Sequence, residues 1–263
     1  MVPLAVTLNV ALVPATTIWL CGWAVMLGEE WFCRPWQDLL HSVRTGKPAF
    51  DHVYGMGTFE YFGTHSEAAA AFHEAMTSLS AAENAALVAG YDFSALHKIV
   101  DVAGGHGSLL IGILRANPHL RGLLFDRPVI VEEAGRRIES EGLAGRCERV
   151  GGDFFDSVPA GADGYILKHI IHDWDDERVM RILGNCRRAM AHHGRLVVVS
   201  PIIQPSNNPS VDKLVDMSLM TLFDGLVRTE AEYRALFSAA GFHLTSVIPT
   251  SVHELNIIEG VPV

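Results

Sequence analysis

The sequence predicts an α/β fold, a mostly parallel seven-stranded sheet that ends in an antiparallel hairpin and follows a short helical region. Three observations carry this. From Lys98 onward short β-branched runs alternate with amphipathic stretches, the pattern of βαβ units around a parallel sheet. The run Val100 to Gly107, Val-Asp-Val-Ala-Gly-Gly-His-Gly, places a glycine turn between a strand and the helix-like Ser108 to Asn117. The next apolar run, Gly122 to Phe125, ends in Asp126. Glycines let a backbone approach a ligand where a Cβ would collide. A carboxylate closing the following strand can take both hydroxyls of a ribose. That order predicts a nucleoside-containing cofactor at the carboxyl ends of the strands.

Residues 1–28 contain no charged side chain, and Leu4 to Leu27 is largely apolar. The length suffices for a membrane span of about twenty residues. Pro14, Asn9 and the lack of flanking Lys or Arg argue instead for buried helices packed on a partner surface. Membrane association and a poorly ordered start are the alternatives, and a signal peptide lacks its basic start. Helix-like runs follow at Trp36 to Val43 and Glu67 to Ala89, with Gly55-Met56-Gly57 a break between helices and Ser66 a cap. Strands are expected near 98–102, 122–126, 146–150, 164–168, 195–200, 243–248 and 253–258, the last two as a hairpin. Helices are expected near 108–117, 129–141, 175–191, 210–223 and 229–240, with Pro205 to Pro209 a loop. The chain therefore divides into a helical region, 1–92, and a cofactor-binding domain, 93–263.

At 263 residues, 49% hydrophobic and 19% charged, the chain has the composition of a globular protein with a substantial core. Thirty acidic against twenty basic residues give a net charge of −10. With no Lys/Arg cluster, that excludes a sequence-independent nucleic-acid binder. The four cysteines, Cys21, Cys33, Cys147 and Cys186, show no CxxC spacing. Scattered thiols point to a reducing, cytoplasmic setting and to neither a disulfide framework nor a zinc site. Thirteen histidines, His192-His193 included, show no ligand spacing with paired acids, so no metal is expected.

After the third strand, Gly151-Gly152-Asp153-Phe154-Phe155 sets an acid beside an aromatic ring. The pair suits an adenine: the carboxylate accepts from the exocyclic amine while the ring packs on the base. An Asp turn with a core Phe is the plainer reading of the same residues. The fourth strand runs into Leu167-Lys168-His169-Ile170-Ile171-His172-Asp173-Trp174.

With Val100 to Gly107, Leu124-Phe125-Asp126-Arg127-Pro128, residues 151–155, residues 167–174 and Arg228-Thr229-Glu230-Ala231-Glu232-Tyr233, five motifs stand in order. In them the chain resembles the class I S-adenosylmethionine-dependent O-methyltransferases, in the branch of plant caffeate and isoflavone enzymes and bacterial tailoring enzymes. The resemblance implies a Rossmann-like methyltransferase fold and S-adenosylmethionine as cofactor. Gly104, Gly105 and Gly107 would line the cofactor's amino-acid and ribose portion. Asp126 would hold the ribose, Asp153 and Phe154 would meet the adenine, and Lys168 would lie beside the cofactor. His172 matches the general base: a phenol with pKa about 10 needs help to ionise, and an imidazole near 6.5 can accept its proton. Matching positions suggest Phe72, Met76, His169, Leu219 and Phe223 as substrate-facing. They imply an apolar pocket for a small aromatic acceptor of secondary metabolism.

Departures from the branch fall near the same histidine. Members carry glutamates where this chain has Ser200 and Val227, leaving Asp173 or Asp224 as substitutes. Ala103 replaces a usual glycine, a mild change if its backbone angle is ordinary, and Arg127 replaces an apolar residue. The branch normally begins with a winged-helix-like dimerisation domain, of which only the last part would fit before Glu29. A homodimer through this shortened region is still expected, since open apolar surface favours association. Two other functions stay open. One is cofactor binding with non-methylating chemistry (hydroxylation, decarboxylation or a pericyclic step), which loss of both glutamates favours. The other is a non-catalytic paralogue or partner subunit, which the apolar front end favours.

Overall fold

The computed structural model of the chain describes Met26, residues 28–252 and residues 255–263. Most of the apolar stretch 1–28, Cys21 included, lies outside the described residues.

Seven strands form one sheet: β1 (Lys98–Val102), β2 (Arg121–Asp126), β3 (Cys147–Gly151), β4 (Gly164–Lys168), β5 (Arg195–Pro201), β6 (Phe242–Pro249) and β7 (Leu255–Pro262). Their order is β3-β2-β1-β4-β5-β7-β6. β1 pairs in parallel with β2 and β4, β2 with β3, and β4 with β5. β7 runs antiparallel between β5 and β6, so the terminal hairpin extends the sheet beyond β5 with its last strand innermost and β6 at the edge. The inner parallel strands β1, β2, β4 and β5 bury near-continuous apolar runs because helices cover both faces, whereas the edge strand β3 is largely exposed. The chain order reverses beside β1, with β2 on one side and β4 on the other. Ligands of open α/β sheets bind at such a switch point, outside the carboxyl ends of the strands.

The helical region holds α1 (Glu30–Gln37), α2 (Leu39–Thr45), α3 (Ala49–Tyr54), α4 (Thr58–Thr64) and the long α5 (Ser66–Gly90). The expected helix Trp36 to Val43 is in fact cut at Asp38, which has left the helical angles (φ −109°, ψ 21°). Its backbone N–H closes back on Pro35 and Trp36, and its carboxylate turns to His52 Nδ1 at 2.6 Å. Ser66 is the first helical residue of α5; His65 takes the cap position and no side-chain cap forms. Gly55 and Gly57 flank the break between α3 and α4. An aromatic cluster holds this region together: Trp31 packs edge-on to Phe62 at 5.0 Å and Phe50 edge-on to Tyr61 at 5.4 Å.

Between the strands lie α6 (Ser108–Ala116), α7 (Pro128–Ser140), α8 (Asp176–Ala189), α9 (Val211–Leu222) and α10 (Glu230–Ala239), with a 3₁₀ turn at Ile171–Asp173. The sequence expectation for β7 began at 253; residues 253–254 lie outside the described ones and the strand runs on to Pro262. Among the described residues no helix is long and apolar enough to cross a membrane.

Candidate active site

A cavity of about 670 Å³ opens at the carboxyl ends of β1, β2 and β4 and is roofed by α5, α9 and the front helices. Its two ends differ in construction. At the first, Ala103 N–H donates to the Phe125 carbonyl at 2.7 Å, pinning the turn after β1 to β2. Ala103 (φ +57°) and Gly105 (φ +58°) are both left-handed. Ala103 is therefore not an ordinary replacement for glycine: an L-residue there costs roughly 1–2 kcal/mol. A Cβ on Gly104 would lie 2.5 Å from the Asp101 carboxyl carbon and 2.6 Å from Leu124, so the backbone can pass there only without a side chain.

Each oxygen of Asp126 accepts one backbone N–H, from Gly105 at 2.8 Å and from Arg127 at 2.7 Å. A carboxylate has about four lone-pair sites, which leaves acceptor capacity toward the cavity. Asp153 Oδ1 accepts from Phe155 N–H at 2.8 Å. Phe154 stands edge-on to Phe155 at 4.7 Å and beside Trp174 at 6.2 Å. Gly104, Gly105, Asp126, Asp153, Phe154 and Lys168 all line the cavity. Gly107 does not; it opens α6 and faces Leu124 and Ile138 in the core.

Asp101, quoted in the glycine motif but given no role there, also lines this end. It is buried, with Oδ2 lacking a hydrogen-bond partner among the described residues. Burial pushes its carboxyl up to about 7, Lys168 pulling it down and Asp126 adding to the rise.

The other end is made of side chains. On α5, Phe72, Met76, Ser80 and Glu83 recur at helical spacing and share the cavity face. Leu219 of α9 and Phe223 just after it line the opposite wall, with Trp31 and Phe32 of α1. Every residue expected to face substrate therefore lines this cavity. Glu83 was not among those expectations, although the spacing from Phe72 and Met76 leads to it. Its Oε2 lies 2.9 Å from Lys168 Nζ and 2.8 Å from His169 Nε2. Burial alone would raise the Glu83 carboxyl, but the His169 ring and the Lys168 ammonium hold it down at about 2. Lys168 also donates to Asn84 Oδ1 at 3.0 Å.

His172 sits in the 3₁₀ turn, buried, with Nδ1 3.2 Å from Ser200 Oγ and Nε2 3.4 Å from Asp173 Oδ1. Burial, the neighbouring His169 and Arg228 together depress its basicity well below an ordinary histidine, against the pull of Glu83. Burial raises the Asp173 carboxyl to about 8, so at neutral pH the pair is largely uncharged. Ser200 thus contacts the histidine directly. Val227 is buried with its N–H on Asp216, and Asp224 turns outward to Arg178 at 3.3 Å, away from His172. The turn is held from below by the fully buried Arg228, which donates to the carbonyls of Ile171 and Trp174 and to Asp176.

Outside the cavity, Asp38, His41 and His52 form a cluster with metal-ligand chemistry. The two imidazoles stack face to face at 4.2 Å, so their in-plane lone pairs do not converge.

The O-methyltransferase domain model matches residues 36–243. A phenazine O-methyltransferase from Lysobacter antibioticus is 42% identical over 240 residues, covering 91% of this chain and 70% of the relative. A 3-amino-4-hydroxybenzoate 4-O-methyltransferase from Streptomyces cremeus is 44% identical over 226 residues, covering 84% of this chain and 61% of the relative. Among solved structures, a mitomycin 7-O-methyltransferase superposes with TM-score 0.87 at 38% identity, covering 93% of this chain and 72% of that one. An O-methyltransferase from neocarzinostatin biosynthesis, solved with S-adenosylmethionine and 2-hydroxy-5-methyl naphthoic acid, gives TM-score 0.77 at 31% identity, covering 95% and 70%.

Proposed function

The chain belongs to the O-methyltransferase domain family, with S-adenosylmethionine as its cofactor, and from that premise we propose that it methylates a hydroxyl of a small aromatic acceptor in secondary metabolism. The observation that carries this reading is one continuous cavity with two chemistries. Asp126, Gly104 and Gly105 line one end; His172 and an apolar wall line the other.

The first end fits the cofactor. Asp126 retains acceptor capacity for ribose hydroxyls, the Gly104–Gly105 backbone gives close approach, and nothing lies within 4 Å of a Cβ built on Gly105. Asp153 and Phe154 would receive the adenine, and Lys168 would lie alongside. When bound, the cofactor supplies an electrophilic methyl group on a sulfonium. Phe72, Met76, Leu219 and Phe223 hold a flat acceptor by packing, and Met76 adapts to its outline. The neutral His172 receives the hydroxyl proton as oxygen attacks, with Ser200 Oγ fixing its Nδ1 side. Fixing oxygen and methyl carbon in line contributes much of the acceleration.

The same reading divides the protein near residue 92 into a helical roof and a cofactor-binding domain. It also makes the exposed Leu40 and Val43, one turn apart on α2, part of a subunit contact. A second reading, non-methylating chemistry in the same cavity, is favoured by one observation. His172 contacts Ser200 and a largely uncharged Asp173 in place of glutamates.

Calorimetric titration with S-adenosylmethionine and S-adenosylhomocysteine tests the cofactor site, and micromolar binding of both is expected. Product mass then separates the readings: each turnover of a phenolic acceptor adds one methyl group. Folded protein that binds neither compound overturns the proposal.

A further inference from the structure

The two histidines at the cavity have unequal support, and the better supported one is not His172. Both ring nitrogens of His172 are engaged, Nδ1 with Ser200 and Nε2 near Asp173, and the Glu83 carboxylate bonds His169 instead of His172. His169 follows β4 directly and lines the same cavity, its side chain one-third exposed. Its Nε2 lies 2.8 Å from the buried Glu83, and Nδ1 has no partner among the described residues. The two rings are neighbours, with centroids 5.1 Å apart and planes tilted by 41°. His169 also adopts a left-handed backbone angle, φ +58°. Such a conformation in a non-glycine residue persists where the surroundings enforce it and clusters at functional sites.

Resting on the methyl-transfer reading, we propose that His169, oriented by Glu83, is a second proton acceptor and that the acceptor's proton comes to rest on it. The O–C bond forms as the methyl–sulfur bond breaks. The hydroxyl proton goes to the open Nδ1 of His169, whose ring passes from neutral to imidazolium while Nε2 keeps its bond to the Glu83 carboxylate. A histidine whose far nitrogen donates to a carboxylate is held in one tautomer and stabilised when it charges. Lys168, the other cation on Glu83, fixes that carboxylate between the cofactor end and the acceptor end.

The test compares His169→Gln and Glu83→Gln with the wild-type full chain on a panel of phenols and hydroxynaphthoic acids, alongside nitro-substituted counterparts already ionised at the assay pH. Glutamine at 169 keeps a donor for Glu83 but cannot take up a proton. Each variant is expected to turn over un-ionised acceptors at least about tenfold more slowly, the lower range of general acid–base effects being larger still. The ionised acceptors, which have no proton to give, should lose clearly less turnover than the un-ionised ones, and cofactor binding by calorimetry should be retained. An equal loss on both acceptor classes means a structural role and overturns the proposal, as does wild-type turnover of His169→Gln on un-ionised acceptors. Absence of methyl transfer by the wild type to every acceptor overturns the methyl-transfer reading, and this proposal with it.

An activity-independent readout is the ¹⁵N spectrum of histidine-labelled protein. The Nε2–H tautomer of His169 is expected in the wild type and its loss in Glu83→Gln; an Nδ1–H tautomer in the wild type overturns the proposal.

Discussion

The two ends of the cavity are built from different materials. The β1–β2 end is shaped by main chain: the left-handed turn at Ala103 and Gly105, the side-chain-free passage at Gly104, and an Asp126 clamped by two backbone N–H groups. The far end is assembled from side chains of elements widely separated in sequence, with Glu83 on α5 meeting Lys168 and His169 after β4. On the proposed reading, the backbone site recognises what never changes, the cofactor. A side-chain site can be re-cut for each acceptor without disturbing the sheet.

If the ends are separable in this way, His172→Ala should lower turnover by roughly 10²–10⁴-fold, the range for loss of a positioned proton acceptor. Cofactor affinity measured by calorimetry should stay nearly unchanged; a matching fall in affinity would break the separation. Asp126→Ala is the reciprocal test. Loss of hydrogen bonds to a charged group, about 1.5–3 kcal/mol, should weaken cofactor binding roughly ten- to a hundredfold, with acceptor KM at saturating cofactor little altered.

Met76→Ala removes part of the apolar cavity wall proposed to hold the acceptor. At about 0.8 kcal/mol per buried methylene, acceptor KM should rise several-fold while cofactor binding holds.

The smallest effect concerns Asp101. Its folded carboxyl titrates at about 7, above its ordinary 3.8, so the native state favours the protonated form. That stability is complete below about pH 4 and is lost as pH rises toward 7. Asp101→Asn removes the cost, so the cofactor-free variant should melt higher than wild type by a few °C at about 1 kcal/mol. The gain should be larger at pH 8 than at pH 5; a pH-independent difference would place the burial cost elsewhere.

The main-chain end was legible because its signals are local. The Val100 to Gly107 run and Asp126 are fixed by the βα turn itself, and the strands fall within one or two residues of expectation except β7, where the run of alternation continues to Pro262. Gly107 was harder to place, because membership of a glycine motif does not say which way the backbone faces. The side-chain end was half legible. Phe72, Met76, Leu219 and Phe223 lie on the cavity as expected, but no local pattern says that Glu83 reaches His169, 86 residues away. Nor could spacing tell that Asp224 turns out to Arg178 while Ser200 turns in to His172. The front helices were blurred by Asp38, whose side-chain and backbone bonds end a helix that composition alone would continue.

Gly225 lies so close beneath the 3₁₀ turn that a Cβ there would fall 2.1 Å from the His172 carbonyl oxygen, and Leu226 N–H bonds that same oxygen at 2.9 Å. With Arg228 gripping both ends of the turn, the segment leaving α9 and the turn bearing the histidine form one rigid piece. If His172 is the proton acceptor proposed above, widening the cavity from that side would drag it out of register with the methyl group. On that reading acceptor range is free to drift along α5 and the front helices, while the α9 exit stays frozen by the geometry of the reaction it borders.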